Sequence, residues 1–98
     1  MKVLSSGLQA DSAVIHDGPC FFCGYSLVTD DTTDVLMTVW DSPDSTTAND
    51  TVVGYAKCAD ETLTVHEMFP YPIWCSKGIY AALDAAEGDY IIYYALGQ

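Results

Sequence analysis

Short runs of β-branched and aromatic residues recur along the chain, and clusters of Asp, Gly, Asn, Ser, Thr and Pro separate them. Runs of this composition between turn-forming residues predict β-strands joined by turns. The polar clusters predict turns at residues 17–19, 29–34, 41–50, 59–61 and 87–88. The apolar runs predict eight strands, at residues 3–6, 13–16, 20–28, 35–40, 52–58, 63–69, 79–83 and 90–95.

Alternation of apolar and polar positions supports this interpretation. Val35, Met37 and Val39 fall on one face of a strand, because successive side chains of a strand point to opposite faces. Residues 90–94 are apolar on both faces. They therefore predict either a central strand or a strand that a partner covers.

Eight short, regularly spaced strands predict one all-β domain over residues 1–98, a small antiparallel β-sandwich of the jelly-roll type. Residues 78–83 and 90–95 are expected to form the hairpin that completes the sandwich. Residues 81–87 contain helix-forming side chains, but Gly78 and Gly88 bound too short a segment, so strand is favoured over helix.

The charge of the chain limits its partners. Fourteen acidic residues face three lysines and no arginine, giving a formal charge of -11. Phosphate backbones and anionic membranes are bound through Lys and Arg, so neither nucleic acid nor membrane is expected as a partner. We expect basic or apolar partner surfaces.

The N-terminal residues show no secretory pattern, and no apolar run approaches the roughly 20 residues of a membrane span, so synthesis in a cytoplasm is expected.

Four cysteines, Cys20, Cys23, Cys58 and Cys75, leave three interpretations open. Cys20 and Cys23 have the spacing of half a zinc knuckle, but no second pair with that spacing follows. On a strand these two side chains would point to opposite faces. A disulfide is the second interpretation. Buried core thiols are the third, which is favoured because cytoplasmic thiols stay reduced.

Catalytic patterns are weak. His66 alternates with Val65 and Glu67, which indicates a solvent-facing strand residue rather than a catalytic base. No G-x-S-x-G elbow is present. The acidic clusters at residues 30–34 and 41–44 do not match a calcium loop. The sequence therefore predicts a protein that is not an enzyme and carries no cofactor or metal.

Aromatic residues are concentrated in the second half of the chain, and a small sandwich cannot bury all of them. Tyr and Trp are enriched at protein interfaces. Pro70 and Pro72 hold the backbone extended and cannot donate ladder hydrogen bonds, which marks residues 69–74 as a displayed run. The predicted partner interface consists of Phe69, Tyr71, Ile73 and Trp74.

Five segments of the chain together carry a resemblance to a known class of proteins. They are Gly18-Pro19-Cys20, Val39-Trp40-Asp41-Ser42, Pro70-Tyr71-Pro72-Ile73, Lys77-Gly78-Ile79-Tyr80 and Ile91-Ile92-Tyr93-Tyr94. With these segments the chain resembles the small β-sandwich virion proteins of tailed bacteriophages, which decorate heads or build head fibres and tail parts.

The resemblance implies a structural virion protein without catalytic residues, above all a capsid decoration or cement protein that binds and stabilises the head surface. The implied partners are the major capsid protein or other virion proteins and further copies of the chain, for example in a trimer. The implied location is the capsid surface, after synthesis in the host cytoplasm.

Two alternatives stay open from the sequence. One is a non-catalytic binding module of a lectin-like or a tail or host-factor-binding kind, which would use exposed aromatic side chains and acidic loops. The other is a small zinc-binding protein built on the four cysteines.

Overall fold

The computed structural model describes residues 2–29, 34–58, 64–84 and 88–96. Eight β-strands run through these residues, so the prediction of an all-β domain is confirmed. Each predicted strand overlaps one of them. The strands are β1 (Leu4–Ser5), β2 (Ala13–Asp17), β3 (Cys20–Thr29), β4 (Val35–Asp41), β5 (Thr51–Cys58), β6 (Thr64–Cys75), β7 (Gly78–Leu83) and β8 (Gly88–Ala95).

The strands form two four-stranded sheets, with the orders β1-β8-β3-β6 and β2-β7-β4-β5. We call them the β8–β3 sheet and the β7–β4 sheet after their central strands. Every pairing among the described strands is antiparallel. The predicted antiparallel β-sandwich is therefore confirmed.

The strand order is that of a jelly roll. Strand β1 pairs with β8, β2 with β7, β3 with β6 and β4 with β5. This is the pattern of one long antiparallel hairpin, folded at the connection between β4 and β5. Rolling the long hairpin up adds the pairings of β3 with β8 and of β4 with β7, which closes the two sheets.

The predicted hairpin of residues 78–83 and 90–95 is wrong. Strand β7 pairs with β2 and β4, whereas β8 pairs with β1 and β3, so the two strands lie in different sheets. The prediction assumed that strands next to each other in the sequence also pair in the sheet, as they do in most proteins. In this fold β4 and β5 are the one consecutive pair of described strands that lie side by side.

The core lies between the inner faces of the two sheets. Phe22, Leu27, Tyr90 and Ile92 contribute buried side chains from β3 and β8. The predicted alternation in β4 is confirmed, since Val35, Met37 and Val39 are all fully buried. The Tyr90 hydroxyl donates a hydrogen bond of 2.8 Å to the carbonyl oxygen of Asp11, which precedes β2, so the largest fully buried side chain has a partner for its polar group.

Residues 90–94 occupy a central strand, one of the two alternatives that the sequence predicted, because β8 lies between β1 and β3. Residues 81–83, where helix was the weaker alternative, belong to strand β7. Predictions for residues 30–33, 59–63 and 85–87 lie outside the described residues. Within the described ranges no helix is long and apolar enough to cross a membrane.

Candidate partner-binding surface

Strand β6 does not end at residue 69 as predicted but continues to Cys75. Its register with β3 changes along the way, because Gly24 pairs with Met68 and Phe22 pairs with Ile73. One residue of β3, Cys23, therefore faces four residues of β6, Phe69 to Pro72. We call residues 69–72 the proline bulge. An extra stretch of this kind bends the strand and turns side chains away from the sheet.

The position of the bulge follows from the chemistry of proline. Pro70 and Pro72 have no N–H to donate to a ladder, so they fit an edge strand or a bulge and not a central strand. Strand β6 stands at one end of the order of the β8–β3 sheet, which makes it an edge among the described strands. Proline on an edge also hinders the addition of a further strand from another chain.

The four predicted interface residues divide into two pairs. Phe69 and Ile73 are partly buried and pack against the core. Phe69 also meets Phe22 edge to face, with ring centroids 5.0 Å apart. Tyr71 and Trp74 are exposed, at 87% and 53%. The inward pair holds the segment against the sandwich, while the outward pair offers its aromatic surface to solvent.

Trp74 is positioned by its cross-strand neighbour. Phe21 pairs with Trp74 in the ladder, and their ring centroids lie 4.9 Å apart with an angle of 59° between the rings. Aromatic pairs with this separation contribute about 0.5–1.5 kcal/mol beyond their buried area. Trp74 is thus half exposed and oriented by Phe21, which is the arrangement expected of an anchor residue.

The end of β6 is fixed by one carboxylate from the other sheet. Asp41 Oδ1 accepts hydrogen bonds from the amides of Lys77 (2.9 Å) and Gly78 (3.3 Å). Asp41 Oδ2 accepts from the amide and the hydroxyl of Ser76, at 3.2 and 3.4 Å. The turn that follows Trp74 is therefore tied to the end of β4, and the strand that carries Trp74 is held in register.

The turn also requires glycine at position 78, both for its backbone conformation and because there is no room for a Cβ atom. Its φ of +146° lies in the region that favours glycine. A Cβ atom there would come within 2.4 Å of the carbonyl oxygen of His16. The amide of Gly18 also bonds to the carbonyl oxygen of Lys77 at 3.0 Å, which joins the turn to the end of β2.

A second apolar surface, which the sequence reasoning missed, lies on the outer face of the β7–β4 sheet. Tyr80 pairs with Val14 on one side and with Trp40 on the other, and Trp40 pairs with Val52. These partners share one face and form a row across all four strands. Tyr55, which pairs with Thr38 two ladder positions beyond the Trp40–Val52 pair, is 65% exposed. The alternation in β4 could have predicted this surface, because it places Trp40 on the face opposite to the buried Val35 and Val39.

Ser26 and His66 meet on the outer face of the β8–β3 sheet. The Ser26 hydroxyl lies 2.7 Å from His66 Nδ1 and 3.4 Å from the Tyr93 hydroxyl. Ser26 sits in the middle of β3, which is paired on both sides, so the surrounding amides serve the ladder and are not free to bind an oxyanion. His66 is exposed, as predicted for a solvent-facing strand residue. The arrangement is a polar cross-strand cluster.

The four cysteines are all buried, but they are not gathered at one point. Cys20 lies directly opposite Cys75, whereas Cys23 falls where the register of β3 skips. Among the described residues, no group of three or more His, Cys, Asp or Glu side chains could hold a metal ion. The zinc alternative therefore lacks the ligand cluster that it requires.

The acidic cluster at 41–44 serves turn hydrogen bonds, and residues 30–33 of the other cluster lie outside the described residues.

Two of the three lysines are engaged by carboxylates. Lys77 pairs with Asp50, and this hydrogen bond lowers the pKa of the Asp50 carboxyl. Lys57 lies 3.4 Å from Asp34. Since these pairs neutralise two positive charges locally, the field around the molecule is dominated by the remaining carboxylates.

Comparison with known protein families, with curated proteins and with solved structures finds no match to this chain. The functional interpretation of the proline bulge and of the apolar outer face of the β7–β4 sheet therefore depends on their own geometry.

Proposed function

We propose that this chain is a structural protein of the virion of a tailed bacteriophage, a non-catalytic capsid decoration protein that binds the head surface and stabilises it. The observation that supports this most is the exposure of Tyr71, at 87%, on a bulge that Phe69 and Ile73 hold against the core. Tyr and Trp are enriched at protein interfaces, so an exposed tyrosine on a backbone that is held in place favours a binding role.

The mechanism would be adhesion through a surface that is ordered in advance. The two prolines and the inward-facing Phe69 fix the backbone of the bulge, so little conformational entropy is lost when a partner covers it. Tyr71 and Trp74 would enter shallow apolar pockets of the shell. Buried aromatic anchors of this kind dominate the energetics of protein interfaces.

The charge of the chain supports a partner of opposite character. At a formal charge of -11, contact with a basic or apolar shell surface is favoured over contact with an acidic one. Copies of the chain repel each other in solution, so we propose that they assemble around a symmetry axis only when the shell places them there. Attachment should accordingly weaken with rising salt.

The jelly-roll order of the strands is compatible with this role by analogy. Jelly rolls serve viral capsid proteins, lectins and other classes, so the fold alone does not select among them. The resemblance to tailed-phage virion proteins gives the capsid role preference over the lectin-like alternative.

The test is electron microscopy of phage particles assembled with and without the chain. We expect additional density at repeated positions on the head, and shells that break at lower temperature or osmotic stress when the chain is omitted. Particles that lack the chain throughout, or that carry it only on the tail, would overturn the proposal. A glycan array with strong binding that depends on Tyr71 and Trp74 would instead favour the lectin-like module.

A further inference from the structure

Cys20 and Cys75 form a directly opposed pair at one end of the ladder between β3 and β6. Cys20 is the first residue of β3 and Cys75 the last residue of β6, and the register places them opposite each other. Both side chains are fully buried, and the Cys75 thiol donates a hydrogen bond of 3.8 Å to the carbonyl oxygen of Ile73. Nothing in the proposed function uses this pair.

The backbone geometry of such a pair suits a disulfide. Directly opposed residues of antiparallel strands have Cα atoms about 4.5–5.5 Å apart. Disulfides join Cα atoms about 4.4–6.8 Å apart. The side chains of opposed residues also share one face of the sheet. Joining the two sulfurs therefore requires rotation of side chains rather than movement of strands.

We propose that Cys20 and Cys75 are a modification site, at which an oxidising disulfide of low molecular weight, such as oxidised glutathione, converts the two thiols into a cross-strand disulfide. One cysteine thiolate attacks the reagent, forms a mixed disulfide and releases one reagent thiol. The second cysteine thiolate then displaces the other reagent thiol. In total, two protein thiols and one reagent disulfide become one protein disulfide and two reagent thiols.

Each of the two thiols shifts the pKa of the other. The interaction with Cys75 lowers the pKa of Cys20, whereas the interaction with Cys20 and burial raise the pKa of Cys75. Whichever thiol loses its proton first attacks the reagent, and the other completes the disulfide. Both thiols are fully buried, so the reagent reaches them during folding or during a transient opening of the sandwich.

The bond would close one end of the strand that carries the proline bulge. Trp74 immediately precedes Cys75, and Ile73 lies one residue further along β6. A link from Cys75 to central strand β3 would keep this edge paired in conditions that would otherwise fray it. The inference stands on the thiol pair alone and does not depend on the proposed function.

The test is refolding of the reduced, urea-unfolded full chain in a glutathione redox buffer, followed by peptide mapping of the trapped disulfides. We expect the link between Cys20 and Cys75 to form the large majority of the protein disulfide, with a loss of two hydrogen atoms in the intact mass. The oxidised chain should melt roughly 10 °C higher than the reduced chain. A strong reductant should reverse the gain.

Variants separate this pair from the other cysteines. Cys23→Ala should keep both the link and the thermal gain, since Cys23 lies where the register skips. Cys75→Ala should lose both. The proposal is overturned if the refolded parent chain stays reduced, if links to Cys23 or Cys58 predominate, or if the link between Cys20 and Cys75 lowers the melting temperature.

Discussion

The chain has two aromatic runs of similar composition, residues 69–74 and residues 90–94, which differ in how far their tyrosines are buried. Residues 90–94 lie in β8, which is paired on both sides, and Tyr90 is fully buried. Residues 69–74 lie in edge strand β6, and Tyr71 is almost fully exposed. Both runs bury some side chains and show others, so hydrophobicity alone does not separate the core from a binding surface.

The difference arises from hydrogen-bonding capacity. Residues 90–94 offer an N–H and a C=O at every position, which a central strand requires on both sides. Residues 69–74 contain two prolines, which cannot donate and so confine the segment to an edge. The backbone of an edge strand can bulge, and the bulge turns Tyr71 outward without disturbing the core.

Replacing a tyrosine by alanine should change the free energy of unfolding far more in residues 90–94 than in residues 69–74. Tyr90→Ala should lower the free energy of unfolding by about 3–5 kcal/mol, because it leaves a cavity and removes the hydrogen bond to Asp11. Tyr71→Ala should change it by less than about 0.5 kcal/mol. Urea unfolding of both variants measures this. A comparable loss for Tyr71→Ala would place the bulge in the core.

Alkaline pH should destabilise the fold through ionisation of the buried Tyr90. Burial, with Tyr80 and Asp11 nearby, raises the pKa of Tyr90 to about 12, above the ordinary value of about 10. Because the folded pKa is the higher one, the stabilisation is complete below pH ~10 and is lost as pH rises from ~10 to ~12. The loss attributable to Tyr90 reaches about 2–3 kcal/mol.

Tyr90→Phe isolates this contribution, at a cost of about 1 kcal/mol for the hydrogen bond at neutral pH. Its free energy of unfolding should fall less steeply than that of the parent chain above pH ~10. The remaining slope would come from other buried groups, such as Tyr25, whose pKa burial raises. Tyr71→Phe, which removes an exposed hydroxyl, is the matched control for the substitution itself. Identical slopes for Tyr90→Phe and the parent would contradict the assignment.

The turn that holds the end of β6 should be the next most sensitive point. Asp41→Ala removes an acceptor for the amides of Ser76, Lys77 and Gly78, so the free energy of unfolding should fall by about 1–2 kcal/mol. Asp41→Asn removes the same negative charge but keeps one oxygen acceptor, and should cost less. Hydrogen exchange at these three amides should speed up in the alanine variant. Unchanged exchange would show that Asp41 does not hold the turn.

The smallest effect is expected from the prolines of the bulge. Pro70→Ala and Pro72→Ala should each lower the free energy of unfolding by about 0.4–1 kcal/mol, because the unfolded chain gains freedom. Each variant also adds an N–H to an edge strand, so the double variant should associate more strongly as concentration rises. Sedimentation at several concentrations measures this. A double variant that stays as dispersed as the parent would mean that the prolines do not protect the edge.

Much of the fold could be predicted from the sequence, because alternation and turn residues depend on local chemistry. Val35, Met37 and Val39 specified the inner face of β4 in this way. The pairing of strands depends on contacts far apart in the chain, so the separation of β7 from β8 into different sheets could not be read from their sequences. The predicted end of β6 at residue 69 is wrong because β6 accommodates Pro70 and Pro72 in a bulge and resumes its pairing with β3 beyond them.

The candidate surface could be predicted only in part. The prolines drew attention to residues 69–74, but the segment alone does not reveal that Phe69 and Ile73 turn inward. That division depends on Phe22, which lies on another strand and receives the Phe69 ring. The row from Val14 to Val52 was missed because its members come from four strands and meet only in the folded sheet.

We propose that residues 69–74 display Tyr71 and Trp74 for a partner and that these two side chains contribute less to folding than to binding. The most direct test measures binding of the chain to phage heads that lack it, with urea unfolding of the same samples. Tyr71→Ala combined with Trp74→Ala should weaken binding at least about thirty-fold. The free energy of unfolding should fall by no more than about 3 kcal/mol, from loss of the Phe21–Trp74 ring pair and of the buried half of the Trp74 side chain.

Tyr55→Ala, which removes an exposed tyrosine from the other sheet, is the matched control and should bind like the parent chain. If the double variant binds like the parent chain, or if Tyr55→Ala abolishes binding, residues 69–74 are not the surface that binds the partner.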